Sequence, residues 1–561
     1  MSDFIDSLRT IVGQPFVLTG EAETRRFRTG FRCGQGNVLA VVRPGTLVEL
    51  WRVAQACVSA NKIIIMQAAN TGLTGGSTPN GEGYDRDIVI VSTLRLTTIR
   101  PIRNGHQVIC FPGAALDSLE KMLKPLGREP HSVIGSSCIG ASVGGGIANN
   151  SGGALVRRGP AYTQLALFAK LRDGGGLELV NHLGIALKGE AEEILARMDK
   201  GDYAEADISD GGQASDNEYA SHVRQVDAAT PARFNADPRR LFEASGCAGK
   251  LVVFSVRLDT FPTEDVRKLF YIGTNKTDVL ADIRRHILKD FKTLPISGEY
   301  MHSEAFDISE KYGKDTFLVI RFLGTKYLAP LFALKSRVDA LFARAGIFPK
   351  RFSDRILQFL SRLFPHHLPL RVRQFRARFE HHLLLEIPGP GLDEAHQFLE
   401  GFFADKTRGA YFECDDEEAR RAMLNRFAAA GAAIRYRAIH AKEIEDILAL
   451  DIALRRNDTD WFEKLPPDIE QAIAVKVYYG HFLCHVFHQD YLIKKGQDVE
   501  AIKKKMLDIL DKRGAQYPAE HNVGHLYKAK PHVKAFYQTL DPCNTFNPGV
   551  GMTSKKGHWK E

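Results

Sequence analysis

The sequence predicts an α+β protein, in which α/β layers in the first half are followed by a second αβ unit and a basic helical segment. Three observations carry this reading. Short apolar runs alternate with helix-like runs through the first 130 residues, the mark of α/β layering. Two glycine-rich stretches, 67–80 and 135–153, interrupt that alternation. Phe261-Pro262 ends one pattern, and a new strand–helix pattern begins beyond it.

Residues 38–42 (Val-Leu-Ala-Val-Val) read as a strand ending at Pro44-Gly45. A helix over 46–60 opens on Thr46-Leu-Val-Glu49, a capping box. Leu47, Leu50, Trp51, Ala54 and Val58 form its apolar face. Ile63-Ile64-Ile65-Met66 and Ile88-Val89-Ile90-Val91 are continuous apolar runs, the pattern of buried strands. Residues 107–111 predict another strand and 116–123 another helix. Residues 190–240 are polar and poor in large apolar groups, so a surface insertion with little core is expected. Residues 251–258 restore a strand, 269–272 open the next unit, and a helix runs through 283–287. Helical signal resumes at 417–433, and 444–454 predict a further helix ending in Arg455-Arg456-Asn457.

Composition narrows the class. With 44% hydrophobic and 25% charged residues in 561, the chain is globular and long enough for several cores. The formal charge of +8 is modest for this length. The eight cysteines stand singly, without paired spacing, so a zinc ribbon or disulfide framework is not indicated and a reduced setting fits. The N-terminus carries acids early, unlike a signal peptide. No run of 18 apolar residues predicts a spanning helix.

The glycine-rich stretches carry the first chemistry. Gly72, Gly75 and Gly76 open the backbone to positive φ and to close approach. Asn70, Thr71, Thr74, Ser77 and Thr78 add small polar groups. Free N–H donors in such a turn form an anion-binding concavity. The spacing is neither G-x-x-x-x-G-K-S/T nor G-x-G-x-x-G. The second stretch has seven glycines and four serines in nineteen residues. Two such stretches in one chain suit a long two-phosphate cofactor.

Pro44-Gly45-Thr46, Asn70-Thr-Gly-Leu-Thr-Gly-Gly76, the 135–153 stretch and the closing Asp541-Pro542 and Phe546-Asn-Pro-Gly549 resemble the vanillyl-alcohol-oxidase (PCMH) type of FAD-binding domain. Arg128-Glu-Pro-His-Ser-Val-Ile-Gly135 and Gln516-Tyr-Pro-Ala-Glu-His-Asn-Val-Gly-His525 resemble the respiratory quinone-dependent D-lactate dehydrogenases of bacteria. The resemblance implies FAD between two α/β subdomains, contacted by Ala68, Ala69, Asn70, Thr71, Gly72, Gly76 and Ser77 on the pyrophosphate side, and by Gly135, Ser142, Gly152 and Val253. No attachment motif is recognisable, so the FAD is expected to be non-covalent. The resemblance further implies an FAD-binding domain at 1–260, a substrate-covering cap at 261–300 and 381–510, a membrane-binding region at 301–380, and a C-terminal segment at 511–561 that returns to the FAD domain. It implies oxidation of D-lactate to pyruvate with electrons passed to a membrane quinone, at the cytoplasmic face of the bacterial inner membrane.

Arg456 at the end of 444–454 matches an arginine that clamps the substrate carboxylate in FAD-linked 2-hydroxyacid dehydrogenases, with Arg455 as a substitute. His481, His488 and Glu520 match the spacing of metal ligands in metal-using relatives, although the Asp-Gly-Asn usual between the two histidines is missing. A divalent metal and direct substrate contact are both open readings of that set. His481 and His485 at i, i+4 form an alternative ligand pair if the segment is helical. His521, beside Glu520, is the expected general base for the hydroxyl proton.

Residues 346–382 concentrate charge: Lys350, Arg351, Arg355, Arg362, Arg371, Arg373, Arg376 and Arg378 face only Asp354 and Glu380. Over 351–364, Phe352, Ile356, Phe359, Leu360 and Leu363 share one helical face, and Arg351, Arg355, Gln358 and Arg362 the other. That is the pattern of a helix lying on an anionic phospholipid surface. Nothing predicts nucleic-acid binding. Two rival functions stand beside the main one: a dehydrogenase of another 2-hydroxy acid with a soluble acceptor, and a non-catalytic flavin-containing membrane-associated protein.

Overall fold

The computed structural model describes residues 2–132, 137, 139–323, 352–361 and 366–561. Gly135, Lys350, Arg351, Arg362 and Leu363 therefore lie outside the described residues. Among the described residues the strands form three sheets. The first has the order β1 (Val17–Leu18), β2 (Ala40–Val42), β4 (Ile88–Ser92), β3 (Ile63–Gln67). β2, β4 and β3 run parallel, and β4 is buried along its whole length, as strands covered on both faces must be. The helix Leu47–Ser59 joins β2 to β3, and its cap Thr46 accepts from Glu49 N at 3.0 Å. Beyond β3, Ile64 N donates to Thr545 O (3.0 Å) and Asn547 N donates to Ile64 O (2.8 Å), so the C-terminal segment extends this sheet.

The second sheet is antiparallel, in the order β5 (Ile99–Ile102), β6 (Gln107–Cys110), β10 (Val252–Pro262), β8 (Ala166–Leu171), β9 (Leu177–Asn181), with β7 (Arg128–Pro130) also on β10. Val89, Ile109, Leu167, Val252 and Phe254 share one core, which binds the two sheets together.

The third sheet takes the order β14 (Ala410–Glu413), β11 (Arg267–Thr274), β13 (His381–Pro388), β12 (Ser297–His302), β16 (Ile473–His481), β17 (Val486–Lys494), β15 (Ile444–Ala453), all antiparallel. Its side chains alternate between faces, as strand geometry demands. Phe270, Ile272 and Tyr300 pack under the helices Thr277–Asp290 and Leu392–Phe402. Leu269, Tyr271 and Met301 pack under Ser303–Tyr312 and Asp416–Ile439.

Three expectations are corrected. The helix expected over 444–454 is strand β15, paired with β17 along its length. Ile444, Ile447 and Leu448 imitate helical spacing, but Leu448, Leu450 and Ile452 alternate into the core, and pairing with β17 decides. The 190–240 stretch is not a coreless insertion: Leu195, Met198, Tyr219, Val223 and Val226 are buried, as are the charged Arg233, Asp237 and Arg240. Gln358 does not share a solvent face with Arg355, because it is buried and its Nε2 donates to Lys311 O at 2.9 Å.

In the first glycine loop, Gly75 has φ +71°, and a Cβ there would lie 2.6 Å from Cys33 O. At Gly76 the nearest atom would be 3.5 Å away. Gly75→Ala combines left-handed strain with a backbone clash and should cost about 2 kcal/mol or more of stability. Gly76→Ala should cost under about 1 kcal/mol. Urea unfolding of both variants checks the difference.

Candidate active site

Cross-strand register builds the site. In the strand order β12-β16-β17-β15, Glu299 stands opposite His481 and Asp451 opposite His488. Alternation puts all four side chains on the sheet face that packs on the helix Asp416–Ile439. Each histidine thus meets a carboxylate from the neighbouring strand. His481 Nδ1 lies 2.7 Å from Glu299 Oε1, and Arg426 of that helix seats the other oxygen of Glu299 at 2.7 Å. His488 Nδ1 lies 3.5 Å from Asp451 Oδ1.

The segment after β17 brings the remaining groups. Asp451 Oδ2 accepts from Glu520 N (2.8 Å), His521 N (3.2 Å) and His521 Nδ1 (2.6 Å). Glu520 Oε2 then sits 3.1 Å from His481 Nε2 and 3.7 Å from His488 Nε2. Its Oε1 takes the Arg233 guanidinium, which also donates to Gly153 O in the second glycine stretch.

These contacts set the charges. Burial raises Glu520's proton affinity, but His481 and Arg233 outweigh it and hold the carboxyl well below the usual range. Burial lowers that of His481, but Glu299 and Glu520 at its two nitrogens outweigh it and lift the imidazole to about 10. Burial dominates at His488, which falls to about 4. At His521 burial is again offset, here by Asp451, and the net shift is upward. Because Asp451 is an acceptor, Nδ1 of His521 carries the hydrogen, and in the neutral ring Nε2 is the lone-pair nitrogen. The His521 side chain is 30% exposed, the most open of the cluster.

His481, His488, Glu520 and His521 are thus brought together. Arg456 is not. Its buried guanidinium donates to Thr230 O (3.0 Å), Thr230 Oγ1 (2.7 Å), His222 O (2.5 Å) and Gln225 Oε1 (3.2 Å), and among the described residues to none of the cluster. It ties β15 to the 222–230 stretch instead of awaiting a carboxylate. The His481/His485 pair is excluded as well. The segment is a strand–turn–strand, and His485 turns at φ +60° to bring its Nδ1 within 3.0 Å of Arg455 O. Sequence reasoning missed Glu299, Asp451, Arg426 and Arg233. Asp451 carried a signal, an acid alone between Leu450 and Ile452 in an apolar run. Arg233, between Ala232 and Phe234, carried none.

The glycine stretches fit FAD. Ala68, Ala69, Asn70, Thr71 and Gly72 follow the end of β3. Asn70 takes φ +55°, with Nδ2 donating to Thr29 O (2.9 Å) and Oδ1 accepting from Ser77 Oγ (3.2 Å). Gly76 O accepts from Asn547 Nδ2 at 2.7 Å. A Cβ at Gly72 would meet nothing within 4 Å. Beside these loops the buried Asn150 Oδ1, Asn522 Nδ2 and Asn547 Oδ1 have no hydrogen-bond partner. Open backbone beside unpaired buried donors and acceptors suits FAD, whose phosphates accept hydrogen bonds and whose ribityl hydroxyls and ring N–H donate them. Ser142 caps the short helix Val143–Ala148, and Val253 flanks a bulge in β10. At Gly152 a Cβ would lie 2.6 Å from Glu520 Oε1, so the cofactor loop abuts the histidine cluster.

The donor atoms of His481, His488 and Glu520 lie within 4.8 Å of one another, and two imidazoles with a carboxylate suit a divalent transition metal. Without one, His481 is protonated on both nitrogens, and its stabilising contribution, complete below about pH 6.5, is lost as pH rises through about 10. A metal needs the Nε2 lone pair and must displace that proton. Calorimetric titration of metal-free protein with Zn²⁺ or Mn²⁺ at pH 7, in two buffers of different ionisation enthalpy, should report release of about one proton per ion. Absence of binding would make these histidines direct polar contacts to substrate.

Residues 38–174 match the FAD-binding domain family, and residues 269–559 match the family described as D-lactate dehydrogenase, membrane binding. The quinone-dependent D-lactate dehydrogenase of Haemophilus influenzae is 58% identical over 562 residues and 100% of both chains. That of Escherichia coli is 58% identical over 559 residues, covering 100% of this chain and 98% of its own. Among solved structures, p-cresol methylhydroxylase with substrate bound aligns over 99% of this chain and 97% of its own with a TM-score of 0.59, a likeness of fold at 11% identity. The chain belongs to the quinone-dependent D-lactate dehydrogenase family, with an FAD-binding domain and a fold shared with p-cresol methylhydroxylase.

Proposed function

We propose that this protein oxidises D-lactate to pyruvate at the junction of its FAD-binding loops and third sheet, and passes the electrons to a membrane quinone. The observation that carries the reading is the meeting of Gly152 and Gly153 with Glu520, Arg233 and the two-carboxylate, three-histidine cluster. When bound, FAD supplies the acceptor for the two electrons that leave with the C2 hydrogen. His521 Nε2 takes the hydroxyl proton, the role its open lone pair suits. The substrate carboxylate needs a cation, and Arg233, Arg426 and Arg456 are committed elsewhere. Arg32 is exposed and has no ion-pair partner among the described residues, and its charge is felt by His521 and Asp490. It stands on a loop braced against the first glycine stretch, with Cys33 Sγ donating to Leu73 O at 3.6 Å. We assign it the carboxylate.

We place the enzyme at the cytoplasmic face of the bacterial inner membrane, docked on anionic phospholipid through 301–380, with 1–260 and 511–561 holding FAD and 261–300 and 381–510 covering the substrate. Among the described residues no helix is long and apolar enough to cross a membrane. The helix Phe352–Ser361 supports surface docking. Its polar residues Ser353, Asp354, Gln358 and Ser361 are buried, with Asp354 paired to Arg435 at 3.0 Å. Its apolar residues face out: Ile356 is 40%, Phe359 63% and Leu360 43% exposed. An outward apolar face beside arginines is an interfacial arrangement.

Two experiments test these assignments. Anaerobic D-lactate should bleach the flavin of the purified protein, which a non-catalytic flavoprotein would not show. His521→Ala should slow that reduction by about 10²–10⁴ with flavin retained, and Arg32→Gln should raise the half-saturating D-lactate concentration by about tenfold or more. The triple variant Ile356→Ser, Phe359→Ser, Leu360→Ser should lose sedimentation with anionic vesicles while its flavin is still reduced by D-lactate at the parental rate. Unchanged sedimentation would move the anchor off this helix.

A further inference from the structure

We propose that Asp451 is a positioning residue for the reaction, the carboxylate that aims His521. The proposal rests on His521 as the proton acceptor and goes beyond it by naming what makes that nitrogen an acceptor. Asp451 is buried in β15 directly opposite His488. Its Oδ2 receives three hydrogens, two from the backbone of Glu520 and His521 and one from His521 Nδ1 at 2.6 Å. The two backbone donors fix the carboxylate in place, so the third bond orients the ring. Its Oδ1 has no hydrogen-bond partner and lies 3.5 Å from His488 Nδ1. That contact leaves His488 Nε2 on the Glu520 side. Ala519 N also donates to Asp451 O at 3.1 Å, so the backbone N–H groups of Ala519, Glu520 and His521 all bond this one residue.

Comparison with Glu299 shows what is particular here. Both carboxylates stand beside a histidine across the β12–β16 or β15–β17 pairing. Glu299 has its charge matched by Arg426 at 2.7 Å. Asp451 has no arginine or lysine partner among the described residues, so its charge is directed at the two imidazoles alone. In the proposed reaction the lactate O–H bond breaks and its proton goes to His521 Nε2, while bound FAD would supply the acceptor for the C2 hydrogen and its two electrons, leaving the C2=O of pyruvate. Asp451 gains no proton. It keeps the Nδ1–H tautomer, without which Nε2 carries a hydrogen and accepts none.

The test uses the FAD-loaded enzyme and anaerobic stopped-flow reduction by D-lactate. Asp451→Asn keeps the size and an acceptor oxygen for the backbone donors. It should lower the limiting reduction rate by about 10²–10⁴ with half-saturating D-lactate within about threefold of the parent, and the double variant with His521→Ala should be no slower than His521→Ala alone. A purely structural role would make the two effects multiply, which overturns the proposal. A parental rate in Asp451→Asn with a slow His521→Ala also overturns it while sparing the base assignment, and a parental rate in His521→Ala brings down both. If Asp451→Asn fails to retain flavin, Asp451→Glu decides: a rate at least about tenfold above His521→Ala supports the proposal, and a rate no higher than His521→Ala refutes it.

Discussion

The rest of the structure depends on a row of ionisable groups across four adjacent strands, Glu299, His481, His488 and Asp451 on one sheet face, with both carboxylates buried. Buried ions are tolerated only when each is matched, and removal of one partner typically costs about 3–5 kcal/mol. This explains which other parts of the chain must dock there. The helix Asp416–Ile439 delivers Arg426 to Glu299, and the 190–240 stretch delivers Arg233 to Glu520. A region that looks like a polar insertion is therefore part of the charge balance of the site.

The segment 516–525 joins this row to the cofactor loops. Gln516 and Ala453 exchange backbone hydrogen bonds of 2.9 and 2.8 Å, and Asp451 holds the next turn. Four residues beyond the proposed base, His525 N donates to Thr74 O at 2.8 Å, and the ring nitrogen Nε2 of His525 lies 2.8 Å from Thr78 O. Asn522 lies beside Gly76. One short backbone thus touches the edge of the third sheet, carries His521 and reaches the first glycine stretch. A shift in this segment would move His521 and the first glycine stretch together, so relative placement of the two is set by chain connectivity as well as by packing.

The helix Phe352–Ser361 follows the opposite rule from a core helix. Ser353, Asp354, Gln358 and Ser361 are buried against the protein, while Ile356, Phe359 and Leu360 meet solvent. Asp354 and Asp315 share Arg435, which stands nine positions after Arg426 on the same long helix. At 1.5 Å per residue that separation is about 14 Å. The surface that suits a lipid interface and the buried charges of the site are fastened to one rigid element.

The sequence by itself determined the features whose cause is local. The Thr46 helix cap, the helix Leu116–Leu123, the apolar runs of β3 and β4 and the glycine spacing of both glycine-rich stretches all follow from short-range sterics and hydrogen bonding. The His481, His488, Glu520 and His521 set was legible as well, because residues able to hold protons or metals are conspicuous in an apolar or aromatic context. Tertiary structure decided the rest. Residues 444–454 satisfy a helical and a strand pattern about equally, and only the open edge of β17 selects the strand. That choice turns Asp451 toward the histidines. Residue type gave Arg456 the better claim to the substrate and Arg233 none, yet Thr230 and His222 absorb the first while Glu520 captures the second. A guanidinium looks the same in sequence whether it is spent on the fold or on the site. The partners that spend it lie more than two hundred residues away along the chain, and no local rule reaches that far.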